Sequence, residues 1–231
     1  MRSVVVTGGA GAIGAAVIRR FRSLGDAVLG FDLSEQEDVL ACDVSDEGSV
    51  ASAFARVRDR HGPVEVLVHS AGITGHGTVT DEDPATWRHI LEVNLTSAYL
   101  CCREVIPDMA RLGRGRIVLI ASVNGRFGGS ALSGPAYATS KGGLITLARF
   151  LAREHAAQGI TVNAVAPGPH DTPMWTALDS ERRARILGMI PGGRGPGDPD
   201  DLAATVVHLS SAEARYINGA TIDVNGGQWM G

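Results

Sequence analysis

Ser3-Val4-Val5-Val6-Thr7-Gly8-Gly9-Ala10-Gly11-Ala12-Ile13-Gly14 opens the chain with a β-branched run, breaks into glycines, and continues as a helical pattern reaching about Leu24. A strand, a glycine turn and a helix in that order bring backbone N–H groups close to a diphosphate at a helix N-terminus. They also let helix and strand pack tightly. A glycine cluster alone makes structural turns as readily, so the position between strand and helix is what gives this one meaning. Gly8, Gly11, Ala12, Ile13 and Gly14 are therefore candidate cofactor contacts.

Outward from that stretch, short β-branched runs alternate with longer helical patterns. Strands are expected at 3–7, 27–32, 39–42, 64–69, 116–122, 161–165 and 221–224. In the helical stretch 47–60, Val50, Phe54 and Val57 fall on one face. Such alternation predicts an α/β fold of one domain, 1–231: a doubly wound parallel sheet of about seven strands with helices on both faces. One connection breaks the rhythm. Only six residues, 33–38, separate the second and third strands, whereas a parallel crossover with a helix takes about a dozen. No helix is expected there, and that sheet edge should be thinly covered.

The second strand ends at Asp32, eighteen residues beyond Gly14. A carboxylate there can accept from both hydroxyls of an adenosine ribose and would repel a 2′-phosphate. Its neighbours are Leu33 and Ser34, and the glycine loop carries no basic residue, so NAD is expected over NADP.

The chain holds one lysine, Lys141, against twenty arginines, since lysine and arginine together number 21. It stands in Tyr137-Ala138-Thr139-Ser140-Lys141, where helical spacing puts phenol and ammonium on one face. Lysine can shift its pKa and meet several partners as a point charge; arginine cannot. A chance surface pair is the bland alternative, and the solitary lysine argues against it.

Composition excludes several classes. A net charge of −4 gives no reason to expect nucleic acid or an anionic membrane as partner. Cys42, Cys101 and Cys102 form neither a disulfide framework nor a metal-ligand spacing, so no metal is expected and the thiols read as buried in a reducing compartment. No apolar run approaches the ~20 residues of a membrane span, and no signal peptide is recognised at the N-terminus. A cytoplasmic protein is the expectation.

Together the glycine loop, Asp32 and Tyr137-x-x-x-Lys141 resemble the short-chain dehydrogenase/reductase family along essentially the whole chain. Further landmarks follow in order: Asp43-Val44, His69-Ser70-Ala71-Gly72, Asn94-Leu95-Thr96, Ser122, Pro167 to Thr172, and Val224-Asn225-Gly226-Gly227. The resemblance implies a Rossmann-type sheet and a catalytic set of Asn94, Ser122, Tyr137 and Lys141. It implies further cofactor contacts at Asp43, Val44, Ala71, Gly72, Pro167, Gly168, His170 and Thr172, besides Asn94, Tyr137 and Lys141 themselves. Tyr137 would be the general acid/base, its pKa lowered by Lys141 and the oxidised nicotinamide. Ser122 would donate to the substrate oxygen, and Asn94 would complete a proton path to Lys141 through a backbone carbonyl and a water. A homotetramer is implied, with the helix 137–158 and the last strand at interfaces.

The departures from the family pattern carry expectations too. His69 and Ser70 lack the amides of the usual double asparagine, which leaves contacts there to backbone around Ala71 and Gly72. Ser122 and Tyr137 are fifteen positions apart, slightly more than is typical, so the stretch 127–135 should bulge and shape the substrate pocket. His170 is expected to act through its backbone rather than its ring.

Residues 172–196 are expected as the substrate lid, lined by Met174, Trp175, Leu178, Ile186, Leu187 and Ile190, with Arg182, Arg183 and Arg185 able to meet an anion but read first as a solvated face. NAD-linked interconversion of a secondary alcohol or cyclic diol with its ketone is the first expectation. The C-terminal third resembles 3-oxoacyl-carrier-protein reductases, so a 3-oxoacyl thioester reductase is the alternative. Against that alternative stand Asp32, since such reductases usually prefer NADPH, and the lack of clear basic sites for a carrier protein. A catalytically silent NAD-binding sensor would have little need of Ser122. A nucleotide-sugar epimerase lacks room for a substrate domain.

Overall fold

Seven parallel strands form one sheet in the computed structural model, which describes residues Met1–Gly231. β1 (Ser3–Thr7), β2 (Ala27–Asp32), β3 (Val39–Ala41), β4 (Val66–His69), β5 (Gly115–Ile120), β6 (Ile160–Pro167) and β7 (Thr221–Val224) lie in the order β3-β2-β1-β4-β5-β6-β7. The chain builds outward from β1 to β3, then crosses to β4 on the other side. That reversal opens a crevice beyond the carboxyl ends of β1 and β4.

Strand side chains alternate between two cores, as a period of two requires. Val4, Val6, Val68, Ile120 and Val165 pack beneath α1 (Ala12–Ser23) and the last helix, α9 (Pro199–Leu209). On the opposite face Val5, Leu67, Leu119 and Val162 pack beneath α2 (Glu47–His61), α4 (Ser97–Leu112) and α6 (Pro135–His155). Helix α2 buries Val50, Phe54 and Val57, the face read from its spacing, and Asp46 caps it by accepting from the Ser49 N–H. The shorter helices α3 (Pro84–Leu91), α5 (Asn124–Phe127), α7 (Pro173–Thr176) and α8 (Ser180–Leu187) all stand near the crevice mouth or its approaches.

Residues 33–38 form no helix, as their number demands. They make a bend and a tight turn closed by Gln36 and Val39, with Asp38 at φ 60°. The edge strand is nonetheless well covered, against expectation: Val39 and Leu40 are buried. The strand β5 also stops earlier than expected. The Ala121 N–H is shared between the carbonyls of Leu119 at 3.1 Å and Val165 at 2.8 Å, an inverse γ-like bend that turns the chain at Ile120. Ser122 therefore leaves the sheet and faces the crevice. No helix is long and apolar enough to cross a membrane.

Candidate active site

The glycine loop is shaped by contacts no side chain can share. Gly8 lies at φ 67°, and a Cβ there would stand 3.0 Å from the Ala71 backbone. A Cβ on Gly14 would reach within 2.1 Å of the Gly8 carbonyl oxygen. Thr7 Oγ1 accepts from the N–H groups of Ser70 and Ala71, both at 3.1 Å, and so clamps the ends of β1 and β4 together. In front of this clamp is a cavity of about 460 Å³ lined by Gly8, Gly11, Ala12, Ile13, Gly14, Asp32, Asp43, Val44, Ala71, Gly72 and Thr172.

Asp32 sits at its rim, held by the Ala10 N–H at 3.0 Å and the Leu33 N–H at 2.8 Å. The lining contains no arginine or lysine. The Ser45 hydroxyl and N–H hold the Asp43 carboxylate below its ordinary pKa. A cradle that excludes side chains, open N–H groups and a carboxylate at the rim fit a dinucleotide whose adenosine ribose carries free hydroxyls.

A second cavity, of about 430 Å³, shares Ile13, Ser70, Gly72, Thr172 and Met174 with the first and continues to Ser122, Tyr137 and Lys141. Helix α6 delivers the last two. It starts after Gly134 at φ 74°, with Pro135 in its first turn and the Glu82 carboxylate accepting from the Ala136 N–H at 3.3 Å. One turn on, Lys141 is 4% exposed, and its Nζ stands 5.6 Å from the Tyr137 ring centre. Burial draws the Lys141 pKa down to about 8. It pushes the Tyr137 phenol above its ordinary value, and the Ser122 hydroxyl pulls the other way with smaller effect. The expected lowering of the tyrosine is thus reversed in the free protein, because desolvation opposes charge on both groups.

Asn94 keeps its side chain away from both cavities. It occupies a single π-helical turn, Glu92–Thr96, and is fully buried, lining neither cavity. Its Oδ1 accepts from the Ile73 N–H at 2.8 Å, while Nδ2 donates to the Ile73 carbonyl at 2.9 Å and to Ser140 Oγ at 3.0 Å. The side-chain amide is therefore a clamp between two segments, with every amide atom committed, and the proton-path role expected of Asn94 is left to its backbone carbonyl. Gly72 is the point where the groups meet: a Cβ there would lie 3.2 Å from Lys141 Nζ and 3.3 Å from Asn94 Oδ1.

Pro167, Gly168 and His170 line the catalytic cavity with Thr172. The His170 ring is buried, its Nδ1 is 3.0 Å from the Gly168 carbonyl, and its backbone pairs with Gly197. The ring thus braces the loop at the cavity wall. In the stretch 172–196, Met174, Trp175, Leu178 and Ile186 face the cavity as expected, whereas Leu187 and Ile190 do not and Met189 does. Arg182 and Arg185 also line it, against the reading of a purely solvated face, while Arg183 points elsewhere. The bulge 127–135 contributes Phe127, Ser130, Leu132 and Ser133 to the opposite wall.

Asn124 escaped the sequence reading, and His69 was noted there only for the amide it lacks. Asn124 donates twice to Ser122, a contact signalled only by a Ser-x-Asn spacing. His69 is fully buried and bonds Ser97 Oγ at 2.9 Å. Ser97 spends its proton on the Val93 carbonyl, so His69 Nε2 is the donor and Nδ1 is left without a partner.

Known proteins are similar to this chain along nearly its whole length. The family model described as enoyl-(acyl carrier protein) reductase matches residues 9–228. The 3-oxoacyl-[acyl-carrier-protein] reductase FabG of Escherichia coli is 37% identical over 98% of this chain and 96% of its own. The 3-oxoacyl-[acyl-carrier-protein] reductase MabA of Mycobacterium tuberculosis is 38% identical over 100% and 94%. The crystal structure of a 3-oxoacyl-[acyl-carrier protein] reductase from Brucella melitensis superposes with a TM-score of 0.92 at 30% identity, covering 100% of this chain and 92% of that one.

Proposed function

The chain belongs to the short-chain dehydrogenase/reductase family, an oxidoreductase acting on CH–OH groups, and on that premise we propose that it interconverts a 3-oxoacyl thioester and its 3-hydroxy form with NAD(H). The observation that carries the reading is the meeting of Ser122, Tyr137 and Lys141 where the dinucleotide-shaped cavity opens into an apolar one. When bound, the nicotinamide supplies hydride to the carbonyl carbon or takes it from the carbinol carbon. The protein does the rest.

Ser122 donates a hydrogen bond to the substrate oxygen and steadies the negative charge that develops there. Tyr137 delivers its proton to the same oxygen. Burial keeps the phenol protonated, which suits it to that donation. Lys141 stands beside the phenol and stabilises the anion that forms once the proton has left. Met174, Trp175, Leu178 and Met189 hold the acyl chain away from water, and Arg182 and Arg185 meet a more distant anionic group of the carrier.

NAD rather than NADP rests on Asp32 and on the missing basic residue around it. A tetramer with α6 and β7 at its interfaces is supported by Phe150, which remains largely exposed on α6. A cytoplasmic location agrees with three free buried thiols.

The deciding experiment is a substrate screen with NADH and NADPH across 3-oxoacyl thioesters, simple ketones and cyclic diols. The proposal expects the highest kcat/KM for a thioester with NADH. Tyr137→Phe should lower kcat about 10²–10⁴-fold and leave NADH affinity within a few-fold. Preference for a small alcohol or cyclic diol would return the reading to the broader secondary-alcohol class, and preference for NADPH would overturn the role given to Asp32.

A further inference from the structure

We infer that Asn124 is a positioning residue that turns Ser122 into an obligate hydrogen-bond donor, a role that rests on the hydride-transfer reading above. Ser122 Oγ accepts from the Asn124 backbone N–H at 3.1 Å and from Asn124 Nδ2 at 3.3 Å. A hydroxyl has two lone pairs and one proton. With both lone pairs engaged from the α5 side, the proton is the only function left, and it points to the side where Tyr137 and the cavity lie.

The backbone N–H alone would leave one lone pair open. The phenol would then be free to donate to Ser122, spending on the serine the proton needed by the substrate. By filling that second lone pair, Asn124 leaves the phenol no acceptor on Ser122. In the permitted direction Ser122 donates to the phenol oxygen or to the substrate oxygen, and either bond favours the phenolate that proton transfer creates. The downward pull of Ser122 on the tyrosine agrees with this direction. Asn124 itself lines the catalytic cavity, opening α5 two residues after the serine it orients.

A double-mutant cycle between Asn124 and Ser122 separates this role from a structural one. Asn124→Val should lower kcat about five- to tenfold, the worth of one neutral hydrogen bond, with cofactor KM within about twofold. In the Ser122→Ala background the same change should have no effect on kcat. Asn124→Asp keeps the shape but offers acceptors, so Ser122 would donate backwards, and its loss should exceed that of Asn124→Val.

A second readout needs neither cofactor nor turnover. The free protein has three tyrosines, of which Tyr99 is half exposed and Tyr216 fully exposed. Rapid pH-jump absorbance, with Tyr137→Phe as the blank, isolates ionisation of Tyr137. Its midpoint should rise by about half a pH unit or more in Asn124→Val and stay unchanged when Ser122 is already alanine. Equal effects in both backgrounds would overturn the inference, as would an Asn124→Asp enzyme with full activity, which would mean that the amide faces Ser122 with its oxygen. If the unaltered protein reduces no carbonyl compound with either cofactor, the hydride-transfer reading fails, and the titration still decides whether Asn124 orients Ser122.

Discussion

Lys141 Nζ donates to the Ile120 carbonyl oxygen at 2.9 Å, which ties the only lysine of the chain to the last residue of β5. Ile120 is also where the strand bends to release Ser122, so the ammonium is anchored at the point that sets the serine. The space is tight, with Lys141 4% exposed and Gly72 directly opposite. A planar guanidinium neither fits there nor gives up its proton. Lys141→Arg should lower kcat about 100-fold or more, measured by NADH absorbance. Near-normal turnover would end the argument from the solitary lysine.

The same burial makes a prediction about stability. The Lys141 pKa falls from 10.5 unfolded to about 8 folded, so between these values the unfolded chain binds more protons. Stability then rises with pH across that window, and the full penalty, roughly 3 kcal/mol, applies below pH 8. Lys141→Met escapes the penalty but leaves the Ile120 carbonyl without its donor, so the absolute difference mixes two effects. The slope does not. The urea midpoint of the unaltered protein should rise relative to that of the variant as pH rises from 8 to 10.5, whatever their offset at pH 8. Parallel curves would contradict a buried ammonium.

Gly14→Ala tests the cofactor cradle. The added Cβ would lie 2.1 Å from the Gly8 carbonyl oxygen and 3.0 Å from the Gly9 Cα, both backbone atoms that cannot swing aside. The loop must open or the helix α1 must shift. Loss of detectable NADH fluorescence enhancement is expected, with Tm lowered by several degrees, consistent with about 1–3 kcal/mol of overpacking. Gly25→Ala, at φ 82° with open space around it, should lower Tm while leaving NADH binding intact.

Periodicity and punctuation made the sheet legible: β-branched runs of four to eight residues, each followed by a helix or by too few residues for one. The short link after Asp32 was readable from reach alone. Strand ends were less so, because what stops β5 is an N–H shared between Leu119 and Val165, a tertiary event with no local signature. Within the site, Tyr137 and Lys141 were legible from helical spacing, whereas Ser122 and Asn94 needed the family pattern. The burial of Asn94 in a π turn was hidden, since π turns carry no sequence period of their own. The raised tyrosine pKa was hidden for a different reason. It comes from desolvation, which depends on what the rest of the chain packs around the phenol, and no single segment encodes it.

Asp32→Ala should shift cofactor choice. The carboxylate stands at the rim of a cavity without arginine or lysine and is fixed by the Ala10 and Leu33 N–H groups. Removing it deletes the partner for the ribose hydroxyls and the repulsion toward a 2′-phosphate at once. The ratio of kcat/KM for NADH over NADPH should fall about tenfold or more, as loss of one charge-assisted hydrogen bond implies. An unchanged ratio would show that discrimination lies elsewhere in the cavity.

His69→Asn should make the protein less sensitive to acid. Burial, aided by the charge of nearby Lys141, draws the His69 pKa down to about 3 from an ordinary 6.5. The imidazole is neutral in the fold, with Nε2 donating to Ser97 and Nδ1 unpaired. Between pH 6.5 and 3 the unfolded chain therefore takes up a proton that the folded chain refuses, and stability falls as pH falls. At pH 5 this amounts to about 2 kcal/mol. An asparagine has no proton to refuse and can still donate toward Ser97 Oγ. Urea midpoints measured from pH 7.5 to 5 should decline steeply for the unaltered protein and more gently for the variant, whatever their offset at pH 7.5. Identical slopes would mean that His69 accepts its proton in the folded state, which requires an acceptor for Nδ1–H that the packing around β4 does not provide.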